Sequence, residues 1–488
     1  MGSYLLVFVV AALVAALSGP FWMRAGRHAG ALDDTRDPPV PRVGGWVVAL
    51  GATGSLTLVG MLFHPTGATL LAAPGSPVAV LAGGAAILLL GTVDDIRPLG
   101  AKLKFAIQVA IAAGVWWCGV RIQVVSFPTG PITLGAPVSL LVTTVWLVGI
   151  ANAFNLLDGA DGVAAGSAFF ASAAVFFVSV TLGHPAIGLV SAALAGAVLG
   201  FLPYNFPPAR AFLGDGGSLV IGFLLAGLAV EGSTKGATLV AIAVPLLAFA
   251  VPVFDTTITL LRRAVRGRPL FERDEGHLHH RLRHRGLSPR AVVVVVYAAS
   301  AAMALVAMLF INPTARSYAV GFIVLGAGVW LAARFLRLHE LNELARVARR
   351  GALKPRSIMM NVGLRRAAER LEGAASLFDI LAGLALLFER SEFDDVLVSV
   401  SNRADRREGT RRWRLQGGTF VEDWPRRSPD EWEVVCPFGG IDWVGELRLR
   451  RRLGRRSLLL DLNLLLEVLQ PALTRAGQRV PAGEWVAT

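Results

Sequence analysis

Along the first two-thirds of the chain, hydrophobic residues come in unbroken runs rather than in a 2- or 3.6-residue rhythm, the pattern of segments with no wet face. Eleven stretches stand out, at roughly 4–22, 43–63, 78–93, 103–119, 136–153, 163–182, 185–203, 217–231, 237–261, 291–312 and 317–336. Crossing about 30 Å of hydrocarbon takes about 20 helical residues, and these runs have that length or approach it. The pattern predicts an α-helical polytopic membrane protein with about eleven transmembrane helices. A cleaved signal peptide competes for the first stretch. However, no basic residue precedes Arg24 and no small-residue cleavage site follows, so the stretch reads as a span.

After residue 336 the pattern changes. Residues 339–390 read as helices ending in the apolar run Phe378 to Phe388. Val396–Ser401, Arg411–Gln416, Glu433–Phe438 and Gly445–Arg450 then alternate like short strands, and a helix follows from about Ser457 to Arg475. The chain therefore divides into a transmembrane domain, 1–336, and a soluble α/β domain, 337–488, large enough for its own core. The strand, strand, helix order of this second domain resembles small sensor domains of the GAF type, which implies a regulatory or partner-binding role.

Composition agrees. Hydrophobic residues make up 54% of the chain and charged residues 17%, against about 25% charged in soluble domains, which excludes an ordinary cytosolic enzyme. The net charge of +13 does not by itself imply nucleic acid, because 26 of the 47 basic residues and 21 of the 34 acidic ones lie after residue 336. Cys118 and Cys436 are too few and too far apart for a disulfide framework. Charge does fix an orientation. The segments after the first, third, fifth, seventh and ninth stretches carry 17 Lys or Arg, Lys104 included, and the segments after the even ones carry 3. The positive-inside rule puts the first set in the cytoplasm, the N-terminus outside and the tail inside.

Four polar clusters interrupt the apolar runs, and all fall in loops placed inside. The first is Asp94-Asp95, followed by Lys102, Lys104 and Gln108. The second runs Asn152-Ala-Phe-Asn155-Leu-Leu-Asp158-Gly-Ala-Asp161-Gly. The third extends from Asn205 through Phe212 to Gly214-Asp215-Gly-Gly-Ser218, and the fourth is Glu275-Gly-His277-Leu-His279-His280-Arg281. A single carboxylate at a span end is explained equally well as a solvated cap. Five of them on one membrane face, with three asparagines nearby, are not, because such crowding is costly without a neutralising cation. Oxygen-only ligands favour Mg²⁺ over zinc. His277, His279 and His280 lie in a loop with nine arginines and no cysteine. They fit phosphate oxygens better than a metal, while the arginines also fit a lipid-surface anchor. The Gly-rich turn before Ser218 offers backbone N–H groups to an anion but lacks the Lys-Ser/Thr ending of a P-loop. Phe212 fits a base-stacking role and an apolar core role equally. Phosphate-binding groups and a cation site at a membrane surface point to phosphoryl transfer from a soluble donor to a lipid acceptor.

Together the four clusters resemble the polyprenyl-phosphate N-acetylhexosamine-1-phosphate transferase family over residues 20–336. The carriers are the Asp-Asp, Asn-x-x-Asn-x-x-Asp-Gly-x-Asp-Gly and Phe-x-Gly-Asp-x-Gly-Ser blocks. The resemblance implies a bacterial inner-membrane enzyme that moves a phospho-sugar from a UDP-N-acetylhexosamine to undecaprenyl phosphate. UMP is released, with Mg²⁺ or, in its place, Mn²⁺. The His277-Leu-His279-His280-Arg281 block is more similar to the GlcNAc-1-phosphate branch than to the phospho-MurNAc-pentapeptide transferases, the alternative within the family. The product starts lipid-linked cell-envelope glycans such as lipopolysaccharide.

The resemblance implies roles residue by residue. Asp215, with Asp158, would hold Mg²⁺. Asn205 and Phe212 would hold the uracil, and Asn152, Asn155, Asp158 and Asp161 would line the nucleotide and metal site. Asp94 and Asp95 would orient or deprotonate the lipid phosphate, Lys102 and Lys104 would neutralise phosphates, and His277, His279, His280 and Arg281 would grip the diphosphate. The first cytoplasmic loop, Leu32 to Gly45, departs from the family pattern in lacking its usual basic residue and histidine before the Pro-x-Pro, leaving Asp33 and Arg42 as its contributors. The expected partners are the two substrates, the bilayer, a second copy of the chain and an unidentified ligand of the tail, but not nucleic acid.

Three rivals are weaker. A transporter places its ionisable residues near mid-bilayer. A CDP-alcohol phosphotransferase needs an Ala-Arg shortly after the first Asp-Gly, which Asp158-Gly-Ala-Asp-Gly-Val lacks. An inactive scaffold has no use for all five acids.

Overall fold

The computed structural model describes residues 2–71, 76–127, 130–233, 246–265, 278–309, 320–321, 323–328, 331, 355–388, 393–402, 410–426, 428–439, 443–453 and 465–479. The chain forms two compact units, residues 1–260 with 271–336 and residues 261–270 with 337–488.

The first unit is a helical bundle. Among the described residues, eight of its helices are long and apolar enough to cross a membrane. They include α1 (Gly2–Ala29), α2 (Gly44–Leu62), α4 (Ser76–Ile96), α6 (Ala136–Leu157), α7 (Val163–Thr181), α8 (Pro185–Asn205) and α9 (Gly214–Ser233), together with the helix Pro289–Leu309. The expected stretch 103–119 is α5 (Ala101–Trp117), 17 residues long. The stretch 237–261 is described only from residue 246, as part of the helix Ala250–Val265, and most of 317–336 lies outside the described residues. Short elements that the hydrophobic pattern does not reveal fill the connections. These are α3 (His64–Leu71), a hairpin of β1 (Leu32–Asp33) with β2 (Val40–Pro41), and one of β3 (Val124–Phe127) with β4 (Gly130–Thr133).

Small residues decide which helices lie innermost. Helices associate in lipid by close van der Waals approach, without a hydrophobic driving force between them. In α8, Gly196 and Gly200 lie one turn apart, and a Cβ on either would collide with the backbone carbonyl of Phe8 or Ala12 of α1. A similar contact joins α4 to α9, where a Cβ on Gly91 would lie 2.5 Å from Cα of Gly216. As a result α8 and α9 are 83% buried over their apolar windows, while the outer α1 is 22% buried.

The second unit carries an antiparallel five-stranded sheet in the order β7-β6-β5-β9-β8, with helices before and after it in the chain. Its strands are β5 (Asp395–Asn402), β6 (Arg411–Gln416), β7 (Thr419–Val421), β8 (Glu431–Gly439) and β9 (Trp443–Arg452). The unforeseen strand β7 follows from a two-residue hairpin at Gly417-Gly418, whose φ values of 55° and 84° suit the twist of adjoining strands. Helices Pro355–Leu371, Leu377–Phe388 and Gln470–Arg479 supply Leu371, Leu384 and Leu473 to a core shared with Val398, Leu447 and Trp443 of the sheet.

Gly91→Val tests the α4–α9 contact. The added atoms have no space, and overpacking typically costs about 1–3 kcal/mol. We expect a lower melting temperature for the detergent-solubilised protein; an unchanged one would remove the contact's importance.

Candidate active site

The polar clusters meet at the start of α9. Gly214 precedes Asp215 with φ 71°, and a Cβ there would lie 2.5 Å from Oδ2 of Asp95. Only glycine allows that turn beside that carboxylate. Asp95, near the end of α4, accepts hydrogen bonds from the backbone N–H groups of Asp215 and Gly216, both at 3.0 Å. It thus caps a helix that begins 120 residues later, an arrangement favoured by the partial positive charge of a helix N-terminus. Asp95 is 8% exposed, so its two oxygens serve the helix.

Asp215 projects from this capped turn to meet side chains of two other helices. Nδ2 of Asn155 (α6) donates to Oδ1 of Asp215 at 2.9 Å and to Oγ of Ser218 at 3.0 Å. The Lys104 ammonium (α5) bridges Oδ2 of Asp215 and, at 2.9 Å, Oδ2 of Asp94. Asp94 also accepts from the N–H of Leu99 at 2.6 Å. One cation thus holds together two acids and three helices.

Asp158 lies at the C-terminal end of α6 and accepts no hydrogen bond among the described residues. Burial, then the neighbouring carboxylates of Asp215, Asp95 and Asp161, hold its carboxyl well above the usual range, with Arg42 pulling the other way. Asp161 is differently placed. Its carboxylate receives a two-pronged bond from Arg36, at 2.9 and 2.5 Å, and the N–H of Ala209 at 3.0 Å. Arg36 also lies over the Phe212 ring, 4.9 Å from its centroid. The β1–β2 hairpin carries Arg36, and the backbone of Phe212 bonds to Pro41, Val43 and Gly44. Arg42, in the same segment, pairs with Asp33 at 3.2 Å. Burial pushes Asp33 up, but Thr35 and Arg42 outweigh it and leave that carboxyl below its ordinary value.

Other expected site residues have backbone or helix-packing partners. Asn205 is 1% exposed. It accepts from the N–H of Gly162 at 3.1 Å and donates to the carbonyl of Ala211 at 3.0 Å, so it shapes the turn. Nδ2 of Asn152 donates to Gln108 at 2.6 Å, below the site in chain direction. Lys102 is exposed at the start of α5. His279, on the helix Leu278–His284, is buried against the Asp158–Asp161 turn, since a Cβ on Gly159 would lie 2.7 Å from its Cε1. His280 packs on His279 with ring centroids 4.2 Å apart, and Arg281 follows on the same helix. His277 lies outside the described residues. Two groups were not singled out from the sequence: Arg36, and Asp255, whose carboxylate accepts the N–H of Leu278 at 2.7 Å. A basic residue in the polar first loop was the available signal for Arg36, and an acid inside an apolar run was the signal for Asp255.

The donor set suits a hard divalent cation. Asp215, Asp158 and the side-chain oxygen of Asn155 present oxygen only. Asp158 accepts no hydrogen bond among the described residues, and an ammonium already occupies the gap between Asp94 and Asp215. No group of three His, Cys, Asp or Glu stands in ligand geometry among the described residues.

Residues 77–233, which hold every acid of the cluster, match glycosyl transferase family 4. The Mycobacterium tuberculosis decaprenyl-phosphate N-acetylglucosaminephosphotransferase is 35% identical over 361 residues, 68% of this chain and 89% of the relative. The chain belongs to glycosyl transferase family 4. It is therefore a multi-pass membrane phospho-sugar transferase. A Bacillus subtilis protein named a probable undecaprenyl-phosphate N-acetylglucosaminyl 1-phosphate transferase is 34% identical over 297 residues, 59% of this chain and 80% of the relative. The Moorella thermoacetica phospho-N-acetylmuramoyl-pentapeptide-transferase is 36% identical over 280 residues, 52% of this chain and 84% of the relative.

Two variants test how the family's acids are used here. Asp95→Asn keeps one oxygen for the α9 cap and Asp95→Ala keeps none. The alanine variant should therefore melt lower, by an amount corresponding to about 1 kcal/mol; equal melting temperatures would sink the cap. Asp158 gives a pH signature. A carboxyl raised above its ordinary 3.8 favours the fold fully below that pH and less as pH rises through the folded value. With divalent cations chelated, Asp158→Asn should raise the melting temperature at neutral pH, and the gain should fade as pH approaches 4.

Proposed function

We propose that the chain transfers N-acetylglucosamine 1-phosphate from UDP-N-acetylglucosamine to undecaprenyl phosphate or a similar polyprenyl phosphate. The reaction releases UMP at the cytoplasmic face of a bacterial membrane. Eleven crossings, an external N-terminus and an internal tail belong to the same proposal. The observation that carries it is the Asp94–Lys104–Asp215–Asn155 cluster set on the capped start of α9.

In this reading, an oxygen of the lipid phosphate attacks the β-phosphorus of the donor. The bond from that phosphorus to the bridging oxygen breaks, and UMP leaves with the electron pair. The acceptor phosphate is substantially ionised near neutral pH, so no strong base is needed. Asp94 holds the Lys104 ammonium toward the anionic reactants, where it offsets their mutual repulsion. Asp95 keeps the Asp215 turn rigid. Asp215, Asp158 and Asn155 would hold Mg²⁺, or Mn²⁺ in its place. What that ion supplies when bound is neutralisation of charge gathering on the diphosphate. Phe212 offers its ring to the uracil, and Asn205 shapes the loop that presents it. His279, His280 and Arg281, with His277 and Lys102, attract the diphosphate. The tail from residue 337 is a regulatory or partner-binding module.

The test is UMP release by purified full-length protein supplied with undecaprenyl phosphate, Mg²⁺ and a panel of UDP-sugars. UDP-N-acetylglucosamine should support turnover, and Asp215→Asn should reduce it at least about a hundredfold with the fold intact. Faster turnover with UDP-MurNAc-pentapeptide would move the chain to the other branch, and undiminished turnover by Asp215→Asn would end the metal assignment.

A further inference from the structure

The nucleotide subsite of the reading above holds a residue that the reading does not use. Arg36 projects from the β1–β2 hairpin, its guanidinium 4.9 Å from the centroid of the Phe212 ring. It is held by the paired bonds of 2.9 and 2.5 Å to the 9%-exposed carboxylate of Asp161, itself tied to the N–H of Ala209. This placement is built by the backbone. Phe212 donates to the carbonyl of Pro41 at 2.9 Å, and its own carbonyl accepts from Val43 and Gly44 at 3.1 and 2.9 Å. The hairpin bearing the cation and the segment bearing the ring are thus one hydrogen-bonded unit.

A guanidinium and a pyrimidine are both flat groups that bind the face of an aromatic ring, and two such groups cannot occupy one face at once. The face that Arg36 covers becomes available to a base only when the arginine moves. We propose that Arg36, anchored by Asp161, is a gate over the base-stacking face of Phe212, displaced when a uridine nucleotide enters. Asp161 is then a positioning residue for the gate and not a member of the reacting set. Because Asp161 lies three residues after Asp158, displacement of Arg36 on nucleotide binding leaves Asp161 with its bond to Ala209 but without its arginine, close in the chain to the proposed cation ligand Asp158. This inference rests on the reading that Phe212 receives the uracil.

The experiment measures the affinity of the full-length detergent-solubilised protein for UMP by calorimetry at fixed Mg²⁺. Arg36→Lys keeps the positive charge but has no planar face, and it should tighten UMP binding about two- to fivefold. Arg36→Ala should also tighten it, by less, because a cation that attracts phosphate is lost as well. Asp161→Asn, which retains an acceptor for Ala209, should tighten binding to a similar degree. The Arg36→Lys/Asp161→Asn double variant should gain no more than the better single one, since both release the same latch. Weaker or unchanged UMP binding in Arg36→Lys, with Phe212→Ala still weakening it, overturns the gate and leaves the uracil reading standing. Unaltered binding in Phe212→Ala overturns the uracil reading itself, and the gate with it.

Discussion

The start of α9 is pressed against α4 so closely that glycine backbone meets glycine backbone, and its first N–H groups have no acceptor within their own helix. Each such group left unsatisfied costs about 1–3 kcal/mol. Asp95 supplies both bonds, and the rest of the site follows from that contact. A capped, immobile first turn fixes where Asp215 points. The direction of Asp215 decides where the Lys104 ammonium and the Asn155 amide can settle, and so how α5 and α6 stand against α9. The positive φ of Gly214 belongs to the same constraint, since a side chain there would strike the capping carboxylate.

That solution concentrates negative charge. The bundle answers with three cations drawn from two segments: Lys104 between Asp94 and Asp215, and from the first loop Arg36 on Asp161 and Arg42 between Asp33 and Asp95. Asp158 receives no such partner among the described residues and remains held away from its charged form. A fold shaped for stability alone would replace such a carboxylate, whereas a site that takes a divalent cation and a nucleotide diphosphate has a use for it. Asp95 and Asp161 have their oxygens bonded to backbone N–H groups and an arginine of other segments, Asp215 has its two oxygens bonded to Lys104 and Asn155, and Asp158 accepts no hydrogen bond among the described residues.

The second unit solves a different problem. Its sheet alternates an apolar face, which packs on three helices, with a face of paired charges. Glu433 bonds Arg450 at 2.7 Å across β8 and β9, and the guanidiniums of Arg412, Arg448 and Arg450 surround Trp424 at 5.2 to 6.0 Å. Cross-strand pairs of this kind tie Arg448 and Arg450 of β9 to Glu433 of β8.

Much of this was legible along the chain. Runs of apolar residues located the spanning helices, because lipid requires every side chain on a helix surface to be apolar and every backbone group to be bonded within it. Alternation located four strands of the tail, and β7 escaped because three residues are too short to show a period. The polar clusters marked the residues that the fold brings together at the start of α9, because charged groups at span ends are costly and therefore few. What the chain order could not reveal was the pairing among them. Asp95 and Asp215 lie 120 residues apart, and Arg36 and Asp161 lie 125 apart. Which of two adjacent aspartates caps a helix and which faces a lysine depends on the rotation of α4 against α9, and that rotation is set by glycine contacts with no periodic signal. Composition and local pattern determined the material, the spans and the chemistry available. Only the tertiary structure decided which carboxylate does what, because that depends on distances between helices brought together by packing.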